Sequence, residues 1–333
     1  MPRSRSSLLA TLTGAGLAVG ALNLVPASPA SASPPESPRL QLLARAWSDT
    51  CAGSAGSATP TTYAVPTDGT EVPRTAGVDT TIHSALPPAE STEIRGEVRA
   101  VPRITTRGGV PQTVELVVDD ELALDADYVA TCQARAVQAA QLVVPLQLPR
   151  PGWLTLQVDN AGLGEAQARL RTGGSIVADL TTTLPDDRRA VRVLLPAGLH
   201  QLTLRGVRGA RAADGDLSVS GAGRLRATFA EAGTATGPER GAGRSLVDLP
   251  TGRDCAAGSA AIVLRAGPGR AAAVRLLVDG RKVRTVRKVE RGRRVVLRNL
   301  PATKAVTLRA VVVLQPARKG RTKAASRSYL ACR

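Results

Sequence analysis

The sequence predicts an all-β protein built from tandem β-sandwich domains. Apolar and polar residues alternate over short stretches, for example through Leu154, Leu156 and Val158. This period-2 pattern is typical of strands that bury one face. Turn residues such as Pro151-Gly152 interrupt it about every eight to twelve positions, and no long stretch shows helical periodicity. Together these features favour sandwiches or barrels.

The composition allows domain cores but leaves little aromatic or histidine chemistry. The chain has 333 residues, 43% of them hydrophobic, which is enough for two or three domains of ordinary size. Aromatic residues make up only 2%, which argues against a broad stacking platform for sugars or bases. The aromatic residues are Trp47, Trp153, Tyr63, Tyr128, Tyr329 and Phe229.

Residues 1–32 have the features of a secretory signal peptide. A short basic start precedes an uncharged apolar run over residues 8–25. Ala30-Ser31-Ala32 then supplies the small-x-small pattern that signal peptidase cleaves. An uncleaved membrane anchor is the alternative, because the run approaches the roughly 18 residues that span a bilayer. The glycines in the run and the cleavage pattern favour removal. We therefore expect a secreted, extracellular chain that starts at Ser33 and has no transmembrane anchor.

Four cysteines are present, and export would place them where disulfides persist. They permit three pairings, of which the spacing favours one. Cys51 and Cys132 lie 81 positions apart, and Cys255 and Cys332 lie 77 apart. Each interval is about the size of one small β-sandwich, so each bridge would join the start of a domain to its end. The sequence contains no C-x-x-C pair, which argues against a zinc site with four thiolate ligands.

Turn-rich segments divide the expected mature chain into four parts. The linker is predicted from three glycines and a proline between Thr234 and Arg244. In the last part, Asp279-Gly280 has the preferred chemistry of a type I′ hairpin turn. We expect an acidic N-terminal β domain over residues 33–135 and a middle β-sandwich over 136–235. A linker over 236–252 then leads to a basic C-terminal domain over 253–333.

Two segments of the C-terminal domain carry a family resemblance. They are VRLLVDGRKVRTV (274–286) and VVLRNLPATKAVTLRAVV (295–312), with a cysteine near each end of the domain. This pattern resembles the bacterial immunoglobulin-like modules of secreted actinobacterial proteins. The resemblance implies an immunoglobulin-like β-sandwich and says almost nothing about activity.

The middle region resembles another kind of module. GWLTLQVDNAG (152–162) and VLLPAGLHQLTLRG (193–206), followed by DGDLSV (214–219), are similar to a β-jelly-roll carbohydrate-binding module. That resemblance implies a glycan as a possible partner. Such modules usually present aromatic side chains to sugar, and here only Trp153 is near. An extracellular carbohydrate-binding or carbohydrate-active protein is therefore the alternative function.

The sequence offers no recognisable catalytic constellation. Only His83 and His200 could act as histidine bases, and both are expected to be ordinary surface or capping residues. No G-x-S-x-G elbow is present, and the Gly267-Pro268-Gly269 segment is expected to form a turn rather than a phosphate cradle. We expect a protein that is not an enzyme and that needs no cofactor.

One acidic cluster raises the question of a metal. Calcium takes oxygen ligands from such clusters, but the spacing lacks the glycine and terminal glutamate of an EF-hand loop. A solvated acidic hairpin is the simpler interpretation, with calcium binding as the alternative. The acidic residues are Glu115, Asp119, Asp120, Glu121, Asp125 and Asp127.

The positive charge is concentrated in the last part of the chain. Residues 253–333 contain 21 Arg and Lys against three acidic residues, whereas residues 33–135 contain 8 basic and 14 acidic residues. All five lysines of the chain lie within 253–333. A basic surface of this density attracts anionic polymers through long-range forces and counterion release. Docking of the basic domain on the acidic first domain is the alternative explanation.

The predicted function is therefore non-enzymatic binding or adhesion at the cell envelope, with association with the cell wall as one form of it. Suitable partners are anionic cell-wall polymers or other polyanions. Sequence-specific nucleic-acid binding is not expected, because no reading motif or aromatic interleaving is present. The expected polyanion-binding residues are Arg275, Arg281, Lys282, Arg284, Arg287, Lys288, Arg291, Arg293, Arg294 and Arg298.

The first prediction concerns the N-terminal bridge. Peptide mapping without reduction should recover Cys51 joined to Cys132, because export and spacing both favour that pair. A reduced and alkylated sample is the control. A peptide joining Cys51 to either of the other two cysteines would contradict the proposed pairing.

Overall fold

The computed structural model is all-β, as predicted, and no helix occurs among the residues that it describes. Those residues are 37–48, 60–83, 91–126, 134–211, 216–315 and 321–333. Both cysteines of the predicted N-terminal bridge and the predicted signal peptide lie outside them, so these stay predictions. Nowhere in the described ranges does a helix have the length and apolar character to cross a membrane.

The first twelve strands form one large β-sandwich of two six-stranded antiparallel sheets. The strands are β1 (Arg39–Ser48), β2 (Thr61–Ala64), β3 (Arg74–His83), β4 (Ser91–Arg107), β5 (Val110–Ala126), β6 (Ala134–Leu148), β7 (Gly152–Ala161), β8 (Glu165–Thr172), β9 (Ser175–Thr182), β10 (Asp187–Leu195), β11 (Gly198–Arg211) and β12 (Leu217–Glu231). One sheet has the order β2-β1-β6-β11-β8-β9, and the other has the order β10-β7-β12-β5-β4-β3.

The predicted boundary at 135/136 does not divide this sandwich. β1, from the predicted N-terminal domain, pairs with β6 from the predicted middle domain, placing Leu42 opposite Ala140. β5 pairs in the same way with β12, placing Leu116 opposite Leu225. Strands from both segments share each sheet and one core, so residues 39–231 form one sandwich rather than two domains. A division at this boundary requires strands to pair with near neighbours in the chain, whereas these strands pair across more than 80 residues.

Alternating residues of each strand fill the space between the two sheets. Along β5, Val114, Leu116 and Val118 are buried and contribute to the main core. Leu142 of β6 and Leu204 of β11 contribute from the opposite sheet. Burial of each such side chain contributes about 1.5–3 kcal/mol relative to exposure, so this core is the main stabilising element of the large sandwich.

A buried ion pair crosses between the sheets. Arg208 of β11 donates from Nε to Oδ2 of Asp120 on β5 over 2.7 Å, and it also donates to the Gly162 carbonyl oxygen. Gly221 lies opposite Asp120, and a Cβ there would overlap the Arg208 guanidinium. Burial raises the pKa of Asp120, and the hydrogen bond from Arg208 opposes that rise.

The remaining seven strands form a smaller sandwich, which we call the C-terminal sandwich. The strands are β13 (Val247–Asp248), β14 (Ala260–Leu264), β15 (Ala271–Val278), β16 (Arg281–Val286), β17 (Arg294–Leu297), β18 (Val306–Leu314) and β19 (Thr322–Tyr329). The sheets have the orders β13-β14-β17 and β16-β15-β18-β19. Asp279 and Gly280 join β15 to β16 with φ values of 49° and 81°, so the predicted turn is found where the sequence placed it.

The predicted linker over 236–252 belongs to this sandwich. It first follows the edge of β19, where the backbone N–H of Gly243 donates to Ala324 over 2.8 Å. It then returns as β13, and Leu246, Val247 and Leu249 are buried in the core. The glycines correctly indicated irregular backbone, but these three apolar residues tie the segment to the domain that follows it.

The end of the C-terminal sandwich that adjoins the large sandwich is closed covalently. Cys255 and Cys332 form a disulfide with an S–S distance of 2.07 Å, which confirms that predicted pair. Next to it, Trp153 of β7 donates its indole N–H to the Ala331 carbonyl over 2.9 Å. We call this end, with the disulfide, the base end.

A buried arginine completes the base end. The Arg253 guanidinium donates hydrogen bonds to the carbonyl oxygens of Leu330, Pro301 and Lys304. Arg253 as a whole residue is 6% exposed, and this burial lowers the pKa of its guanidinium. These bonds fasten the β17–β18 connection and the segment that follows β19 to one side chain.

The second prediction concerns the buried ion pair of the large sandwich. Asp120→Leu and Arg208→Met should each lower the free energy of unfolding by about 3–5 kcal/mol, because each leaves a charged partner buried without compensation. Chemical denaturation would measure both. The double variant D120L/R208M should be more stable than either single variant. If the double variant lost as much free energy of unfolding as the two single variants together, the coupling between the two side chains would be contradicted.

Candidate functional site

The strand directions define two ends of the C-terminal sandwich. β14 starts near Cys255 at the base end and finishes at Leu264, which pairs with Val247. β15 starts where β14 has finished, and its hairpin with β16 places Val286 opposite Val274. The connections over 265–270 and 287–293 therefore meet away from the base end. We call this second end the distal end.

The ten predicted binding residues lie along the β16 edge and at both ends. Nine are exposed and Arg293 is half-buried. Arg281 and Lys282 begin β16 beside the base-end hairpin, and Arg298 follows β17 on that side. Four residues, Arg287, Lys288, Arg291 and Arg293, lie in the distal β16–β17 connection, and Arg294 begins β17.

The pleat of the sheet separates some of these residues. Arg284 lies opposite the buried Leu276, on the side that faces the other sheet, and its Nη1 donates to the Val296 carbonyl oxygen over 3.2 Å. Lys282 lies opposite Leu277 in the alternate position of the strand, and Arg275 lies opposite Thr285. The structure thus places Arg284 on one side of the sheet, and Arg275 and Lys282 on the other.

These residues carry charge that the described part of the chain does not neutralise. None of the ten takes part in an ion pair within the described ranges. Arg293 donates to the Lys288 carbonyl oxygen over 2.8 Å, which fixes the connection without compensating charge. The nearby acidic residue Asp279 is paired with Lys304 over 3.5 Å instead.

Two open clefts lie beside the basic residues. One, of about 620 Å³, contains Arg284 and Arg298 together with Val283 and Asn299. The other, of about 780 Å³, lies at the distal end and brings Arg291 together with Arg265 and Arg270. We call it the distal cleft.

Arg265 and Arg270 were missed by the sequence analysis. They flank the Gly267-Pro268-Gly269 segment, which was interpreted correctly as a turn, with the Arg270 N–H donating to Gly267 over 3.0 Å. The two arginines lie more than 20 positions before Arg291, and only strand pairing brings them together. Arg265 is paired with Asp248 over 2.8 Å, and that hydrogen bond raises the pKa of Arg265.

The histidines occupy ordinary positions. His200 is buried rather than at the surface, with Nδ1 2.7 Å from the Thr172 hydroxyl and Nε2 3.0 Å from the Pro196 carbonyl oxygen. Because a carbonyl oxygen only accepts, Nε2 is the donor and Nδ1 accepts from Thr172. His83 is exposed at the end of β3. Trp153, the aromatic residue that the jelly-roll resemblance singles out, already uses its N–H at the base end.

The acidic cluster is divided by the alternation of β5. Asp120 is directed inwards to Arg208, whereas Glu115 is directed outwards and accepts a hydrogen bond from Arg224 over 2.5 Å. Asp119 and Glu121 are exposed. Asp127 lies outside the described residues, and among those described no group of three or more His, Cys, Asp or Glu could hold a metal ion.

Comparisons with known proteins give only weak similarity. No family model matches the chain, and no curated protein matches it. The beta-glucuronidase from Ruminococcus gnavus is 10% identical over 79% of this chain and 46% of that chain, with a TM-score of 0.19. A GH2 beta-galacturonidase from Eisenbergiella tayi is 12% identical over 56% of this chain and 35% of that chain, with a TM-score of 0.16.

A third structure is the adhesin domain of Epf from Streptococcus pyogenes. It is 9% identical over 76% of this chain and 89% of that chain, with a TM-score of 0.16. The chain spans less than half the length of either glycosidase. Similarities with TM-scores this low carry no argument about function.

The third prediction concerns the structural role of the basic residues. The variant R281Q/K282Q/R284Q/K288Q should change the free energy of unfolding by no more than about 1–2 kcal/mol, because the four residues are exposed and make no ion pairs. Urea denaturation would measure this. A larger loss would show that these side chains support the fold and are not available for a ligand.

Proposed function

We propose that the protein is exported and binds anionic polymers at the cell envelope through its C-terminal sandwich, without catalysing a reaction. The polymers expected are phosphate-containing or uronic-acid-containing chains of the cell wall.

One observation carries the proposal: the uncompensated charge of the C-terminal sandwich. Residues 253–333 have a formal net charge of +18, and the ten basic residues described above are without ionic partners in the described structure. Like charges so close together repel one another and weaken the fold. A polyanion relieves that repulsion and gains entropy by releasing its counterions. Binding is therefore favourable without a deep pocket or a specific contact.

Charge in the large sandwich is arranged differently. Arg169, for example, pairs with Asp179 over 2.7 Å, and Arg188 pairs with Asp159 over 2.6 Å. These pairs neutralise charge within the sandwich surface and leave less to attract a polymer. The proposal therefore assigns binding to one sandwich.

The fourth prediction tests this assignment with two variants of equal charge. R281Q/K282Q/R284Q/K288Q removes four charges from the C-terminal sandwich. R99Q/R107Q/R211Q/R226Q removes four exposed arginines without ionic partners from the large sandwich. Binding of the purified proteins to heparin and to a glycerol-phosphate teichoic acid would be measured over a series of salt concentrations.

The first variant should bind more weakly than the unaltered protein. Its plot of log binding constant against log salt concentration should be less steep by about three, because fewer counterions are displaced. The second variant should bind nearly as well as the unaltered protein. Equal weakening of both variants would reject the assignment to one sandwich. Failure of the unaltered protein to bind either polymer at low salt would reject the function.

A further inference from the structure

We infer that the distal cleft is a specific site for phosphate groups of an anionic polymer. The inference rests on the proposed function and adds a defined site to it. Arg265, Arg270 and Arg291 line the cleft, and each guanidinium donates hydrogen bonds in a planar fork. One such fork satisfies the two oxygens of a carboxylate. The forks of Arg270 and Arg291, with Arg265 held beside them by Asp248, suit a phosphate, whose oxygens point in tetrahedral directions.

The backbone holds the walls of the cleft in place. On one side, the N–H of Gly292 donates to Leu264 over 2.7 Å, and the N–H of Leu264 donates to Arg293 over 2.9 Å. On the other side, the N–H of Arg265 donates to Leu246 over 2.8 Å. These bonds position the backbone on both sides of Arg291 and Arg265 before any ligand arrives, which reduces the entropy lost on binding.

The glycines of the cleft are not explained by the fold. Gly267 and Gly269 do not have positive φ values, and a Cβ at either position would have no neighbour within 4 Å. Neither backbone conformation nor packing therefore requires glycine there. The absence of side chains leaves the cleft open beside Arg270, where a phosphate could approach the backbone and the guanidinium together.

The acidic residues that act at the cleft, Asp248 and Glu239, both interact with Arg265. Asp248 is paired with Arg265, and this pair holds the guanidinium at the edge of the cleft. Arg270 and Arg291 are exposed and have no ion pair in the described structure. Two of the three cations are thus available to an anionic ligand, and the third is fixed in position.

The fifth prediction uses short ligands, because they separate a site from a diffuse basic surface. The probes are a glycerol-phosphate trimer and a galacturonate trimer, measured by titration calorimetry against the purified protein at physiological salt. R270Q/R291Q removes two charges from the cleft. Gly269→Leu fills the cleft without changing charge, at a position where a side chain meets no obstacle.

The control variant R99Q/R107Q removes two exposed arginines from the large sandwich, where the proposed function places no binding residues. Neither residue lines the distal cleft, so the control should leave binding of the trimer there almost unchanged.

The phosphate trimer should bind with a stoichiometry of one, and both cleft variants should weaken it at least about tenfold, since charge-assisted hydrogen bonds or the space for the ligand are lost. The galacturonate trimer should bind at least about tenfold more weakly than the phosphate trimer. Equal affinity for the two trimers would overturn the phosphate preference.

Other outcomes separate this site from the general function. If the unaltered protein bound the polymers but not the trimer, the site would be overturned and the proposed function would stand. The same conclusion would follow if the control variant weakened trimer binding as much as the cleft variants did. Unchanged trimer binding by Gly269→Leu would also overturn the site. Size-exclusion chromatography tests another occupant of the cleft. If the unaltered protein self-associated and R270Q/R291Q did not, the cleft would be assigned to a second copy of the chain instead.

Discussion

The arrangement of the C-terminal sandwich depends on the buried guanidinium of Arg253. Its hydrogen bonds hold the carbonyl oxygens of Pro301 and Lys304 in the β17–β18 connection, and that of Leu330 after β19. A buried cation without a carboxylate partner is costly, and several carbonyl dipoles are needed to hold it. The disulfide beside it closes the same end covalently.

Arginine therefore has two different roles in the same chain. In the large sandwich several arginines are partners for acidic residues, as in the pairs of Arg208 with Asp120 and Arg224 with Glu115. In the C-terminal sandwich Arg253 is structural, and most other basic residues face solvent without acidic partners. The difference follows from composition, because residues 253–333 contain only three acidic residues to share among 21 cations.

Local features of the structure could be predicted from sequence, and features that depend on distant pairing could not. Alternation located most strands, and Asp279-Gly280 located a hairpin, because each signal is contained in neighbouring residues. The pairing of β1 with β6 joins segments about 100 residues apart and left no local trace. The candidate site shows the same limit: charge density indicated Arg291, but its proximity to Arg265 and Arg270 depends on how β14 and β17 pair.

The position of β16 has a consequence for how copies of the protein behave near one another. β16 is an edge strand of its sheet, and one side of its backbone has no neighbouring strand among the described residues. Such edges tend to pair with other chains unless charge keeps them apart. Arg281, Lys282 and Arg284 supply that charge, so two free copies repel each other at this edge. A polymer that neutralises these residues removes the repulsion, and crowding of copies along the polymer then favours edge-to-edge contact.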